Sequence, residues 1–96
     1  MSALPCSIRL PAVLDATAAI PLLHELIETR GAELTIDGAD VTKLGGQCLQ
    51  ILFSAAKSWG EEGLTFELIN PSTQLLEQVQ HYGLNINAFS SLEHNP

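Results

Sequence analysis

The stretch Val41-Thr42-Lys43-Leu44-Gly45-Gly46-Gln47-Cys48-Leu49-Gln50-Ile51-Leu52 decides how this chain is read. It has the form of a loop end, a two-glycine turn and the start of a helix. Just upstream, Glu33-Leu34-Thr35-Ile36-Asp37 alternates polar and apolar, which predicts a strand with Leu34 and Ile36 inward. Gly38-Ala39-Asp40 between them is turn chemistry. Downstream, Cys48, Leu49, Leu52, Ala55, Ala56 and Trp59 recur at helical spacing and predict a helix over residues 46–59. Gln47, Gln50, Ser54, Lys57, Ser58 and Glu61 fall on the opposite face, with Ile51 and Phe53 at the two margins. A helix N-terminus carries up to four N–H groups without intrahelical partners, and partial positive charge with them. Gly45 and Gly46 are expected to take positive φ there and to let another molecule come close. This junction is the candidate functional surface.

Working outward, Ser7-Ile8-Arg9-Leu10 predicts a short half-buried strand, and Ala12-Val13-Leu14 a second short strand or a bend. Pro5 and Pro11 suit a sheet edge better than its centre. A first helix is expected with Thr17 as N-cap, Pro21 in its first turn and Gly31 as its stop. Ala19, Leu22, Leu23, Leu26 and Ile27 would face inward, and His24, Glu25 and Glu28 outward. Arg30 would sit at the negative end of that helix. After the central helix, Gly60-Glu61-Glu62-Gly63 is a polar turn and residues 64–69 a strand. Asn70-Pro71 has the form of an N-cap with proline at the first helical position. Leu75, Leu76, Val79 and Tyr82 would face the core of that last helix, Gly83 would end it, and Leu84 would make the C-cap contact. Asn85 to Phe89 is expected as a last short strand, and Ser90 to Pro96 as a flexible tail. Strands alternating with helices imply right-handed crossovers and a mixed, mostly parallel sheet. The expected fold is one α/β domain over residues 1–96, with about four to five strands and three to four helices.

Bulk properties narrow the function. The 96 residues suffice for one core, and 46% are apolar against 16% charged, so the chain is expected to fold. Eleven acids against four bases give a net charge of −7. Arg9, Arg30, Lys43 and Lys57 are scattered, so nucleic acid and anionic membrane surfaces are poor partners. No apolar run reaches transmembrane length, and Met1 to Pro5 is too short for a signal peptide, so no direct membrane insertion is expected and the expected location is the cytoplasm. Cys6 and Cys48 are expected as reduced thiols. His24, His81 and His94 stand far apart without acids or cysteines at ligand spacing, so no metal is expected. No nucleophile–base constellation, phosphate-binding loop or redox dithiol is present, and neither catalysis nor a cofactor is expected.

From Leu34 to Leu84 the chain resembles the STAS domain, the fold of bacterial anti-sigma factor antagonists. The resemblance rests on Ile36-Asp37, Val41, Leu44, the Gly45-Gly46-Gln47-Cys48 turn and the leucine-rich helix after it. Leu68-Ile69-Asn70-Pro71-Ser72 and Tyr82-Gly83-Leu84 complete it, and Leu14-Asp15 fits the layout of the N-terminal third. It implies a non-enzymatic regulatory module that docks on a protein partner. Such a partner would be a sensory or anti-sigma kinase or a chemotaxis component; the run Leu44 to Leu52 is similar to small stand-alone STAS proteins encoded with chemotaxis genes. The two-glycine junction in its amphipathic framework marks the expected partner-binding residues as Lys43, Gly45, Gly46, Gln47 and Gln50, flanked by Ile51 and Phe53. The chain departs from the family at the residue that partner kinases phosphorylate. Gly46 occupies that serine's position and has no hydroxyl; Thr42, Ser54 and Ser58 are the nearby hydroxyls, none at the helix N-terminus. An alternative implied role is the cytosolic subunit of a bacterial lipid ABC transporter. Some STAS domains bind nucleotides, but here only the amides near Gly46 would serve, and the net charge of −7 opposes a polyanion. The oligomeric state is left open.

Overall fold

The alternation around Leu34 produces the middle strand of a parallel sheet. A computed structural model of the protein describes residues 5–90. Strand β1 (Cys6–Arg9) pairs with β3 (Leu34–Asp37), and β3 pairs with β5 (Phe66–Ile69), giving the order β1-β3-β5. β2 (Val13–Leu14) and β4 (Lys43–Leu44) form a separate two-stranded parallel ribbon. Between them run α1 (Ala16–Glu28), α2 (Gly46–Glu61) and α3 (Thr73–His81). The α/β class and the parallel sheet expected from the sequence are both present, and β1 lies at the edge between its two prolines.

Register explains the layering. Cys6, Leu34 and Phe66 align across the sheet, as do Ile8, Ile36 and Leu68. Ile8, Leu34, Ile36 and Phe66 are buried in one cluster with Leu22 and Leu26 of α1, Leu52 and Trp59 of α2, and Leu75 and Val79 of α3. The alternate row, Ser7, Thr35 and Glu67, therefore points the other way. On that face Ser7 is exposed and Thr35 and Glu67 are half-buried, and among the described residues the helices pack against the opposite face. The six α2 residues expected inward are all buried. At its far end the Trp59 indole donates to the Ala32 carbonyl at 2.7 Å, inside the core, and its ring meets Phe66.

Several local expectations are corrected. Asp15, not Thr17, caps α1: its carboxylate accepts from the N–H groups of Thr17 and Ala18 and from the Thr17 hydroxyl. The helix thus starts earlier, Pro21 lies past its first turn, and the Thr17 carbonyl loses its helical partner. Arg30 lies beyond the last turn and pairs with Glu62 at 3.3 Å, while Gly31 takes φ +90°. The segment after Asp40 forms strand β4 rather than plain loop, and α2 runs through Gly60 to Glu61 before Gly63 turns the chain. Ser72, not Asn70, caps α3; Asn70 takes φ +51°, which makes the exit from β5. Tyr82 is 46% exposed rather than inward. Gly83 and Leu84 do close α3, with the Leu84 N–H bonded to the Val79 carbonyl and the Gly83 N–H to that of Gln80. Asn85 to Phe89 is not a strand but a 3₁₀ turn over Ile86–Phe89. The Asn85 side chain accepts from the Asn87 N–H, which bends the backbone away from extension. The expected tail lies, beyond Ser90, outside the described residues.

Two measurements test this framework. Trp59→Phe leaves the Ala32 carbonyl buried and unpaired and is expected to cost about 1–3 kcal/mol in urea unfolding. The hydrogen bonds to Asp15, from the Thr17 hydroxyl foremost, hold its carboxyl below the ordinary range. Its folded pKa lies below its unfolded one, so the contribution is complete above the unfolded pKa and is lost as pH falls through the folded value. Asp15→Asn keeps a cap but removes the titration; melting curves between pH 5 and pH 2 should then show a shallower acid limb than wild type.

Candidate functional site

Residues 41–46 are held from both sides. On one side they follow the β2 backbone: the N–H groups of Thr42 and Lys43 donate to the Ala12 carbonyl at 2.7 and 3.1 Å, and that of Gly45 donates to Leu14 at 2.8 Å. On the other side no strand lies among the described residues, and α3 with its two cap residues supplies side chains in its place. The Gln78 amide oxygen accepts from the Leu44 N–H at 2.6 Å, and its nitrogen donates to the Thr42 carbonyl at 2.9 Å. The Ser72 hydroxyl donates to the Val41 carbonyl while accepting from the Leu75 N–H. The Tyr82 hydroxyl donates to the Leu44 carbonyl at 3.4 Å. Nothing in the sequence pattern marked Gln78, Ser72 or Tyr82 for this task, because their partners lie more than 30 residues away.

The turn delivers the chain to α2. Gly45 is the N-cap in extended backbone, with φ −89° and ψ 162°, and makes no side-chain capping bond. Neither glycine of the turn uses positive φ, which corrects that expectation. Gly45 is small for a different reason: a Cβ there would stand 3.1 Å from the Leu14 carbonyl oxygen. A Cβ on Gly46 would meet nothing nearer than the Tyr82 hydroxyl at 3.8 Å. Gly46 is exposed, so the uncapped first N–H groups of α2 open onto a surface without a side chain. One turn in, Cys48 is fully buried, and its thiol faces the Asp15 carbonyl at 3.4 Å. Burial pushes that thiol's pKa up, and the nearby Asp15 charge pushes it the same way, so it stays protonated.

The residues singled out from the sequence divide into three places. Lys43, Gly45 and Gly46 lie together at the turn, with Lys43 exposed opposite Val13 on β2. Gln47, Gln50 and Ile51 line one wall of a groove between α1 and α2, of about 570 Å³. Phe53 lies roughly 200° around the helix from Ile51 and sets its ring edge-on to Phe89, with centroids 6.3 Å apart. Of the nearby hydroxyls, Thr42 donates to the Ala12 carbonyl, while Ser54 and Ser58 line the groove.

The other wall of the groove was not anticipated. Leu23 and Ile27 of α1, expected inward, are 43% and 58% exposed, and Ile20 beside them is 64% exposed. The core takes only Ala19, Leu22 and Leu26 from this helix. The signal was present in the sequence as an apolar arc too wide for one buried face, with Ile20, Leu23 and Ile27 spaced i, i+3, i+7 beside the inward set.

A family model described as "Mlab, STAS domain" matches residues 4–92. No curated protein and no solved structure gives a match.

Gln78→Leu leaves the Leu44 N–H and the Thr42 carbonyl without these partners. It is expected to cost about 1–3 kcal/mol and to raise amide exchange at Leu44 more than in the sheet. Gly46→Ser, by contrast, has room and should leave stability unchanged or raise it by up to about 1 kcal/mol, read by the same urea titration.

Proposed function

This chain belongs to the STAS domain family, and from that premise we propose that it is a non-enzymatic regulatory interaction domain whose partner docks at the turn and N-terminus of α2. STAS domains are interaction and regulatory modules, and this one retains the family's layout across nearly the whole chain. One observation carries the reading. The segment around Lys43, Gly45 and Gly46 is fixed by backbone bonds to β2 and by the side chains of Gln78 on α3 and of its cap residues Ser72 and Tyr82, yet it ends in an exposed, side-chain-free helix start. A rigid, bare helix N-terminus keeps one shape for a partner, with little left to order on binding. Gln47 and Gln50 extend that surface along α2, and Ile51 adds an apolar contact. Phe53 serves the partner only if the interface also reaches the Phe89 side of the helix.

Partner control through phosphate at the turn requires a hydroxyl that Gly46 lacks. Docking here is therefore constitutive at that position, set by the abundance of the partner rather than by modification of the turn. The partner is a signalling protein of a bacterial cell, either a sensory or anti-sigma kinase or a component of the chemotaxis machinery. Among the described residues no helix is long and apolar enough to cross a membrane.

Affinity capture of the tagged protein from its host, with mass spectrometry of bait and partners, tests the proposal. A kinase or chemotaxis component captured by wild type and lost with Gly46→Trp supports it, provided the variant melts within a few degrees of wild type. Capture of a transporter permease and its ATPase would make the chain a transporter subunit instead. Capture unchanged by Gly46→Trp would remove the turn from the interface.

A further inference from the structure

The groove between α1 and α2 is larger than the turn needs. Its floor holds Leu26, Ala55 and Trp59, and its walls hold Leu23 and Ile27 on one side and Gln50, Ile51 and Ser54 on the other. We propose that this groove receives one amphipathic helix of the partner, apolar on its inner face and basic on its flanks. The proposal rests on the docking reading above and gives that partner its shape and charge.

The fit follows from spacing and charge. Ala19, Leu23 and Ile27 line the groove over two turns of α1, with Ile20 exposed beside them, and Gln47, Gln50, Ser54 and Ser58 form a stripe along α2. An apolar trough of this length, with amides and hydroxyls along one rim, is how a helix face is received by a groove. Close to the groove the charges are mixed, and the chain as a whole is acidic. Glu61 continues the α2 stripe one turn past Ser58, and Asp15 caps the N-terminal end of α1, while Glu25 and Glu28 lie on the other side of that helix. Arg30, which lines the groove, pairs with Glu62 at 3.3 Å. Lys57 lies beside the Gln50–Ser54 stripe. With a net charge of −7, a second copy would bring seven more negative charges to the interface, and an anionic lipid surface would be repelled. A basic helix meets complementary charge on approach and apolar surface on arrival.

The probe is a designed peptide of about five helical turns, with a leucine face and lysine flanks, carrying a fluorophore for anisotropy in physiological salt. Its counterpart has the same leucine face and glutamate flanks. The lysine peptide is expected to bind at roughly micromolar strength and to shift the amide signals of Leu23, Ile27, Gln50, Ile51 and Ser54. The glutamate peptide should bind at least about tenfold more weakly. The double variant Leu23→Glu, Ile27→Glu adds negative charge, so electrostatics alone would strengthen binding of the lysine peptide; the groove requires a loss of about tenfold or more. Gln74→Glu with Gln80→Glu adds the same charge on the exposed face of α3 and should leave affinity intact. Ser54→Trp fills the groove from the other wall and should weaken binding even if the double variant fails to fold.

Equal binding of the two peptides, stronger binding to the double variant, or shifts centred elsewhere would each overturn the proposal. So would a concentration-dependent dimer in sedimentation that uses these same residues, or binding to anionic phospholipid vesicles through them. The peptide assay needs no native partner. Its failure beside turn-dependent capture from the host would remove the groove alone. Success beside capture that ignores Gly46→Trp would remove the turn alone.

Discussion

The Gln78 side chain does the work of a missing strand. β4 is two residues long and pairs with β2 along one edge, so its other edge would leave a donor and an acceptor unmet. One glutamine amide answers both, accepting from Leu44 and donating to Thr42 as a neighbouring backbone would. Ser72 extends the arrangement to Val41, and Tyr82 extends it to the Leu44 carbonyl. The entry to α2, the packing of α3 and the shape of the exposed turn all depend on this substitution of side chain for strand. It also ties α3 to the first half of the chain, since each of these bonds spans more than 30 residues.

Much of this fold was legible in the sequence, and the failures have local causes. The strands around Ile8, Leu34 and Phe66, and the buried face of α2, followed from apolar period alone. Helix starts were misplaced because two candidate caps stood close together. Asp15 wins over Thr17 because its carboxylate accepts from two N–H groups and the Thr17 hydroxyl at once. Ser72 wins over Asn70 because its hydroxyl meets Leu75 and Val41 together. The strand expected after Asn85 became a 3₁₀ turn through a single side-chain bond to Asn87. A β ribbon of two residues, such as β2 with β4, is too short to carry a period.

The candidate surface was legible in part. The turn, the bare Gly46 and the exposed amides of Gln47 and Gln50 could be placed from sequence. The opposite wall could not, because Leu23 and Ile27 have the spacing of core residues and differ from Leu22 and Leu26 only by which arc of α1 the sheet and α2 cover. The glycines show the same limit. Their presence marked a candidate turn, but the reason for Gly45 is the Leu14 carbonyl 3.1 Å from where its Cβ would stand, a contact across the β2–β4 ribbon.

Among the described residues the sheet ends at β1 on one side and at β5 on the other, and both end strands are short or bent. β1 is four residues long, lies between Pro5 and Pro11, and carries the charged Arg9 at its end. Beside β5, at the opposite edge, lies the 3₁₀ turn, and its exit is bent by the left-handed Asn70. A foreign strand seeking to extend either side meets a short rail, a missing N–H or a kink. The same irregularities that obscured the sequence pattern are of the kind that discourages edge-to-edge pairing between sheets.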